Sequence, residues 1–239
     1  AKVAWGFTNL EGDFEDWIVV ETDPKRPERY LVPGGGSEEF GRLVEQIDVA
    51  RAASQRLELR ETVWGPVVRN DAQGRPLVSR WIAHDTDHTN INLFDLFTAE
   101  TIESAVEAAS SWQGPPQNVM IASKDGHIAW TVSGAIPTRS GFDGSFPVSW
   151  ATEGTGWTGW IDEKRRPRVI NPPSGVLFTA NNRTLPLNDA RLFGRAWASP
   201  NRAARISERL AANEKHSEST LLAIQLDTAR PSMDFYRAL

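Results

Sequence analysis

The 239-residue chain contains no cysteine, which excludes disulfides, thiolate nucleophiles and cysteine zinc sites. That count leaves the compartment open, because proteins of oxidising compartments can also lack cysteine. Long hydrophobic runs are missing too, and no stretch approaches the roughly 20 apolar residues needed to span a bilayer. Positive charge is in deficit: 26 Lys and Arg stand against 31 Asp and Glu, giving a net charge of -5 and a pI near 5.5. Against that background Lys164, Arg165 and Arg166 make too short a basic cluster for a nucleic-acid surface, and they read as solvated charge. The glycines Gly34, Gly35 and Gly36 lack the lysine and the serine or threonine that follow in a phosphate-binding loop, so they read as a flexible turn. Internal repeats and low-complexity tracts are also missing.

What remains is an ordinary globular composition, 40% hydrophobic and 24% charged, in a chain long enough to bury a sizeable core. Residues 16–21 and 29–32 are rich in β-formers and bounded by turn residues, so both are predicted strands. Residues 57–69 and 77–83 are expected to be two strands joined by Asn70, Asp71, Ala72, Gln73 and Gly74. The pattern changes over residues 98–111, where Ile102, Val106 and Ala109 share one helical face and Thr98 is placed to cap it. A second hairpin is predicted from 120–122 and 128–132 around Lys124, Asp125 and Gly126. The Trp-, Gly- and Pro-rich region 146–171 is read as a long surface loop, residues 175–180 as a buried strand, and residues 201–212 and 217–226 as closing helices. Strands first and helices later give an α+β fold in a single domain, residues 1–239.

Three places carry candidate chemistry. Asn181 and Asn182 directly follow the apolar run Gly175, Val176, Leu177, Phe178, Thr179, Ala180. A carboxamide at a strand end can hold an N–H rigidly toward a cleft, as an oxyanion hole requires; taken alone, the pair reads first as residues that open a turn. The acidic turn with Asp13, Glu15 and Asp16 can offer oxygens to Ca²⁺, which takes about six to eight such ligands, or it can simply be solvated. The segment His84, Asp85, Thr86, Asp87, His88 would put two histidines on one face of a helix, as zinc requires. It follows a strand, however, and lacks the glutamate beside the first histidine that serves as base in helical zinc peptidases.

Several segments, in one order, resemble the β-chain of the penicillin acylase (penicillin amidase) family of N-terminal nucleophile hydrolases. They are Val3, Ala4, Trp5, Gly6, Phe7, Thr8, Asn9 with the acidic turn; Thr62, Val63, Trp64, Gly65, Pro66, Val67 with Arg80, Trp81, Ile82, Ala83; and Gln117, Asn118, Val119, Met120, Ile121, Ala122. Downstream come Asp125 to Trp130, Gly134 to Arg139, Trp157, Thr158, Gly159, Trp160, then Asn171, Pro172 and the paired asparagines, and lastly Asn201, Arg202, Ala203, Ala204, Arg205, Ile206. The likeness covers nearly the whole chain and implies a share of a four-layer αββα sandwich. It also implies an oxyanion hole made by the Asn181 side-chain amide and the backbone N–H of Asn9, with Arg202 organising the nucleophile's surroundings. Taken alone, Arg202 is equally an exposed helical cation.

The resemblance further implies a structural Ca²⁺ held by Asp13, Asp16, the carbonyl of Glu15, a carbonyl near Gly144 and Asp189, completed by a glutamate of a separate α-chain. Trp81 and Gln117 are expected at the acyl pocket. The family's nucleophile is the first residue of the β-chain, exposed by self-cleavage several dozen residues before the WGxT segment. Here that segment begins at Trp5, and Ala1 cannot attack. The chain is therefore expected to be an inactive interior fragment of a periplasmic or extracellular acylase. Its substrates would be N-acyl compounds such as β-lactams or acyl-homoserine lactones, and its partners the α-chain and the remainder of the β-chain. The alternative is a non-catalytic relative or β-rich binding module on the same scaffold.

Overall fold

The computed structural model describes residues 2–230 together with Met233 and Tyr236, so the expectation placed on Ala1 lies outside the described residues. In chain order the strands begin with β1 (Val3–Asn9), β2 (Glu15–Val19), β3 (Thr22–Asp23), β4 (Arg26–Val32), β5 (Gly36–Glu39), β6 (Gly41–Ile47), β7 (Gln55–Thr62), β8 (Gly65–Asn70) and β9 (Pro76–Trp81). Helix α1 (Ile102–Ser111) follows, then β10 (Gln117–Ser123), β11 (Ile128–Ser133), β12 (Pro137–Ser140), β13 (Gly156–Trp160) and β14 (Arg168–Ile170). Helices α2 (Leu187–Ala190), α3 (Asn201–Ala211) and α4 (Glu218–Gln225) close the chain.

Two sheets do most of the work. The first has the order β1-β10-β11-β14, antiparallel throughout. Its strands alternate, so Val119 and Ile121 face one way with Val3 and Ala129, and they pack on Ile102, Ala105, Val106 and Ala109 of α1. Burying each larger aliphatic here stabilises by roughly 1.5–3 kcal/mol. Trp130 and Val132 face the other way, into a core with Leu10, Ile136, Ile161 and Phe193. The second sheet, β2-β9-β8-β7-β6, packs Ile18, Val67 and Val78 against Val20, Tyr30 and Trp150. A smaller sheet β3-β4-β5 falls between β2 and β6 in sequence, and the pair β12-β13 falls between β11 and β14. The turn from β1 to β2 joins the two large sheets.

The mixed helix and strand content agrees with the α+β expectation; a four-layer sandwich is not seen among the described residues. Other expectations need correction. Thr98 ends a 3₁₀ turn, and the α1 cap is Thr101, whose hydroxyl accepts from the Ser104 N–H at 3.1 Å in a reciprocal capping box. The predicted strand 57–69 breaks at Val63 and Trp64 into β7 and β8, because Gly65 turns the chain at φ 139°, and Ile82 to His84 form a 3₁₀ turn instead of extending β9. Region 146–171 is not one loop: it contains β13 and β14. Residues 175–180 form no strand. Left-handed Gly175 (φ 68°) and Asn181 (φ 63°) bracket them, and the run is held by partly buried Leu177 packing on the Leu10 and Phe193 core, by buried Thr179 and Ala180, and by a side-chain bond instead of a backbone ladder.

Candidate active site

The β1 strand ends at Asn9, opposite Gln117 of β10. The apolar run reaches that end from the far side of the sequence: the hydroxyls of Thr8 and Thr179 are hydrogen bonded. The left-handed turn at Asn181 then aims its amide back, and Nδ2 donates to the Asn9 carbonyl at 2.8 Å. Arg202, in the first turn of α3, donates from Nη2 to Asn181 Oδ1 at 2.8 Å. A cation on the amide oxygen fixes which end of the carboxamide is the donor. An amide nitrogen carries two N–H bonds, and the Asn9 carbonyl uses one. Gln117 joins the group by donating from Nε2 to Asn9 Oδ1 at 3.1 Å. Asn9, Gln117, Asn181 and Arg202 thus form one cluster at the end of β1, and Asn181 is both a turn residue and a held donor.

Asn118 was not expected here. It is fully buried, accepts from Trp130 Nε1 at 3.0 Å and donates to the Asn9 carbonyl at 3.3 Å. It therefore fixes the end of β1 from inside the sheet. Its signal in the sequence is a carboxamide in an apolar alternating strand, where an unpaired polar group would cost free energy.

Trp81 does not belong to this group. It lies at the end of β9, opposite Glu15 in the second sheet, and packs edge-on against His84 with ring centroids 5.9 Å apart. Nothing bonds it to Gln117, so the two expected pocket residues are not brought together. His84 and His88 sit in two separate 3₁₀ turns, and the His88 ring lies 4.4 Å from that of Trp160. The single helical face that zinc would need is not formed.

The acidic turn is a second cluster, built around Arg139 of β12. Its Nε donates to Asp16 Oδ2 at 2.7 Å, and its Nη2 donates to the Asp13 carbonyl at 3.0 Å and lies 3.4 Å from Asp13 Oδ1. Trp157 Nε1 also donates to Asp16 Oδ2, at 2.5 Å. Gly144 has φ 81°, and a Cβ there would lie 2.5 Å from Asp13 Oδ2, so its backbone approaches the carboxylate as only glycine permits. Burial pushes the Asp13 carboxyl up to about 6, against the opposing pull of Arg139. Two carboxylates around one guanidinium leave an excess of negative charge, and the carboxylate and carbonyl oxygens here suit a hard cation. The Glu15 carboxylate accepts from Ser79 Oγ at 2.7 Å. Asp189 is exposed on α2 and is not bonded to Asp13 or Asp16, although Phe193, just beyond, accepts the Asp13 N–H at 2.7 Å. Among the described residues no three His, Cys, Asp or Glu side chains group as metal ligands, so a cation here would depend on carbonyls and on donors from elsewhere.

Comparison with known proteins follows the same direction. Residues 1–238 match the family model described as penicillin amidase. The acyl-homoserine lactone acylase QuiP of Pseudomonas aeruginosa is 28% identical over 239 residues, covering 95% of this chain and 28% of that protein. The penicillin acylase 2 proenzyme of Pseudomonas sp. is 30% identical over 241 residues, covering 99% of this chain and 31% of that protein. The chain therefore spans less than a third of the length of these curated relatives. The solved thermostable penicillin G acylase from Alcaligenes faecalis superposes with a TM-score of 0.75 over 93% of this chain and 40% of its own, at 20% identity. That likeness bears on the fold alone. No helix among the described residues is long and apolar enough to cross a membrane.

Proposed function

The chain belongs to the penicillin amidase family, and from that premise we propose that it is an interior part of a longer amidohydrolase that cleaves the amide of N-acyl compounds. Acyl-homoserine lactones and penicillins enter as substrate classes through the names of its relatives. The observation that carries the reading is the Asn181 amide: Arg202 holds its oxygen, one N–H is spent on the Asn9 carbonyl, and the second N–H is left for a developing oxyanion. The Asn9 backbone N–H is the partner donor in this proposal, and the fold contributes to a four-layer αββα sandwich that the rest of the protein completes.

The nucleophile in this reading is an N-terminal serine supplied by a segment outside residues 1–239, so these residues alone are inactive. Its hydroxyl attacks the amide carbon while its own α-amino group takes the proton. The tetrahedral oxyanion is met by Asn181 and Asn9, the amine leaves with that proton, and water then releases the acid from the acyl-enzyme. A proenzyme among the relatives supports a precursor that is cut into chains. A periplasmic or extracellular location belongs to the same proposal. Asp13, Asp16, the Glu15 and Gly144 carbonyls and Asp189 would hold a structural Ca²⁺, which would balance the negative charge that Arg139 leaves in excess.

The test is Asn181→Ala in the complete protein. Losing one oxyanion donor is expected to lower kcat by about a hundredfold or more with little change in KM. Turnover equal to that of the unaltered enzyme would remove Asn181 from the mechanism.

A further inference from the structure

Strands β6 and β7 form a two-stranded ribbon that meets a third strand only at its base, where Glu61 and Thr62 pair with Pro66 and Gly65 of β8. Beyond that base the ribbon has two unlike faces. Directly opposed residues of an antiparallel pair share a face, so Arg42, Val44 and Gln46 lie with Arg60, Glu58 and Arg56. That face is internally satisfied: Glu58 binds Arg42 at 2.6 Å and Arg56 at 2.9 Å, and Arg60 lies over the Phe40 ring. The other face carries Leu43, Leu57, Leu59 and Ile47 around one charge, Glu45, with Glu61 on the same face at the base. None of these four aliphatics belongs to a core of the described residues, and Leu57 and Ile47 are exposed.

A two-stranded ribbon is marginal in water, and an apolar face on a long free edge invites association. A second copy packed on it about a two-fold axis would bring Glu45 near its own mate in a desolvated seam, a like-charge contact that costs free energy. Glu45 has no ion-pair partner among the described residues. More than two thirds of the length of the matched relatives lies outside the region this chain covers.

We propose that the Leu43, Leu57, Leu59 and Ile47 face is an interface for a segment of the same precursor outside residues 1–239, one that presents apolar side chains and a lysine or arginine to Glu45. This rests on the reading of the chain as part of a longer enzyme.

Val44 and Leu57 supply a matched pair for the test: they lie on opposite faces and are 43% and 42% exposed in residues 1–239. The complete mature protein carrying Val44→Cys or Leu57→Cys is labelled with a small maleimide, and the rate at each site is read by peptide mass spectrometry. The expected result is labelling at position 57 at least tenfold slower than at position 44, independent of protein concentration. Rates within twofold of each other overturn the inference, as does protection that grows with concentration, which would assign the face to a second copy. Hydroxyl-radical footprinting of Leu57 and Leu59 against Val44 in the unaltered protein gives the same comparison without a substitution. The intact mass of the natural polypeptide separates the two readings. A mass of only these residues overturns both, whereas a longer protein with equal labelling overturns the interface alone.

Discussion

Arg166 shows how much one residue can cost this fold. Its reading as solvated charge is overturned: it is almost fully buried, donates from Nη1 to the Val132 carbonyl at 3.3 Å, and leaves Nε without a partner. No carboxylate lies within ion-pair distance of it among the described residues, and burial pushes its pKa down to about 10 despite Glu163 and Asp162 nearby. A buried cation paired this poorly is destabilising, and a hydrophobic side chain of similar volume removes the penalty. Arg166→Met is therefore expected to raise stability by roughly 1–3 kcal/mol at pH 7. The fold holds this proton less tightly than the unfolded chain does, so the penalty is complete at neutral pH and fades as pH rises through about 10. Melting temperatures of the two proteins should differ most at pH 7 and converge above pH 10; a gap that stays constant or widens contradicts the account. The site also divides at this scale. Asn181, Asn9 and Arg202 are brought together in the sequence only through the family resemblance, because no local pattern sets Asn181 against Asn9, 172 positions away. Asn118 carries no motif of its own, and its role becomes visible only when Trp130 and the Asn9 carbonyl are placed beside it.

Helix α1 is the element on which the first sheet leans, and its start is the place to perturb it. Thr101 and Ser104 satisfy each other's backbone N–H groups, so Thr101→Ala is expected to cost about 1 kcal/mol, while Thr98→Ala, on the preceding turn, costs little. Thermal melting of the two variants distinguishes them, and equal losses would mean that the cap does not govern the helix. The sequence places α1 by its apolar face, but the cap expected at Thr98 falls at Thr101, and that choice is made by Ser104, a less familiar partner than glutamate at that position. Strands β10 and β11 are legible because alternation and a tight Gly126 turn agree. Residues 175–180 are misread for a general reason: an apolar run reports burial, and its end at Thr179 and Ala180 is buried, but no pattern within the run shows whether a strand lies alongside to complete a ladder. Strand β13 is hidden because Gly156 and Gly159, both at φ 144°, break the alternation of Trp157 and Trp160 and look like loop.

For the whole molecule, the acidic turn is the place where the parts meet. It carries the chain from the first sheet to the second, takes Arg139 from β12 and Trp157 from β13, abuts the Gly144 loop, and is tied by Asp13 to the Phe193 carbonyl. A cation bound there would tie together segments spread over most of the sequence. Its absence would leave Asp13 burdened by burial, with only a shared guanidinium in compensation. Ligand binding to the folded state alone stabilises it by about 2.7 kcal/mol at a hundredfold excess over Kd. The complete protein is accordingly expected to melt several degrees higher in millimolar Ca²⁺ than in EDTA. Mg²⁺ should substitute poorly, because it demands a tighter octahedral shell than this open arrangement of carboxylates and carbonyls offers. Asp13→Asn separates the metal from the ion pair: Asp16 still holds Arg139 at 2.7 Å, so the variant should fold, yet its melting temperature should no longer respond to Ca²⁺. If the unaltered protein melts at the same temperature in Ca²⁺ and in EDTA, Arg139 alone balances the turn and the calcium assignment is wrong.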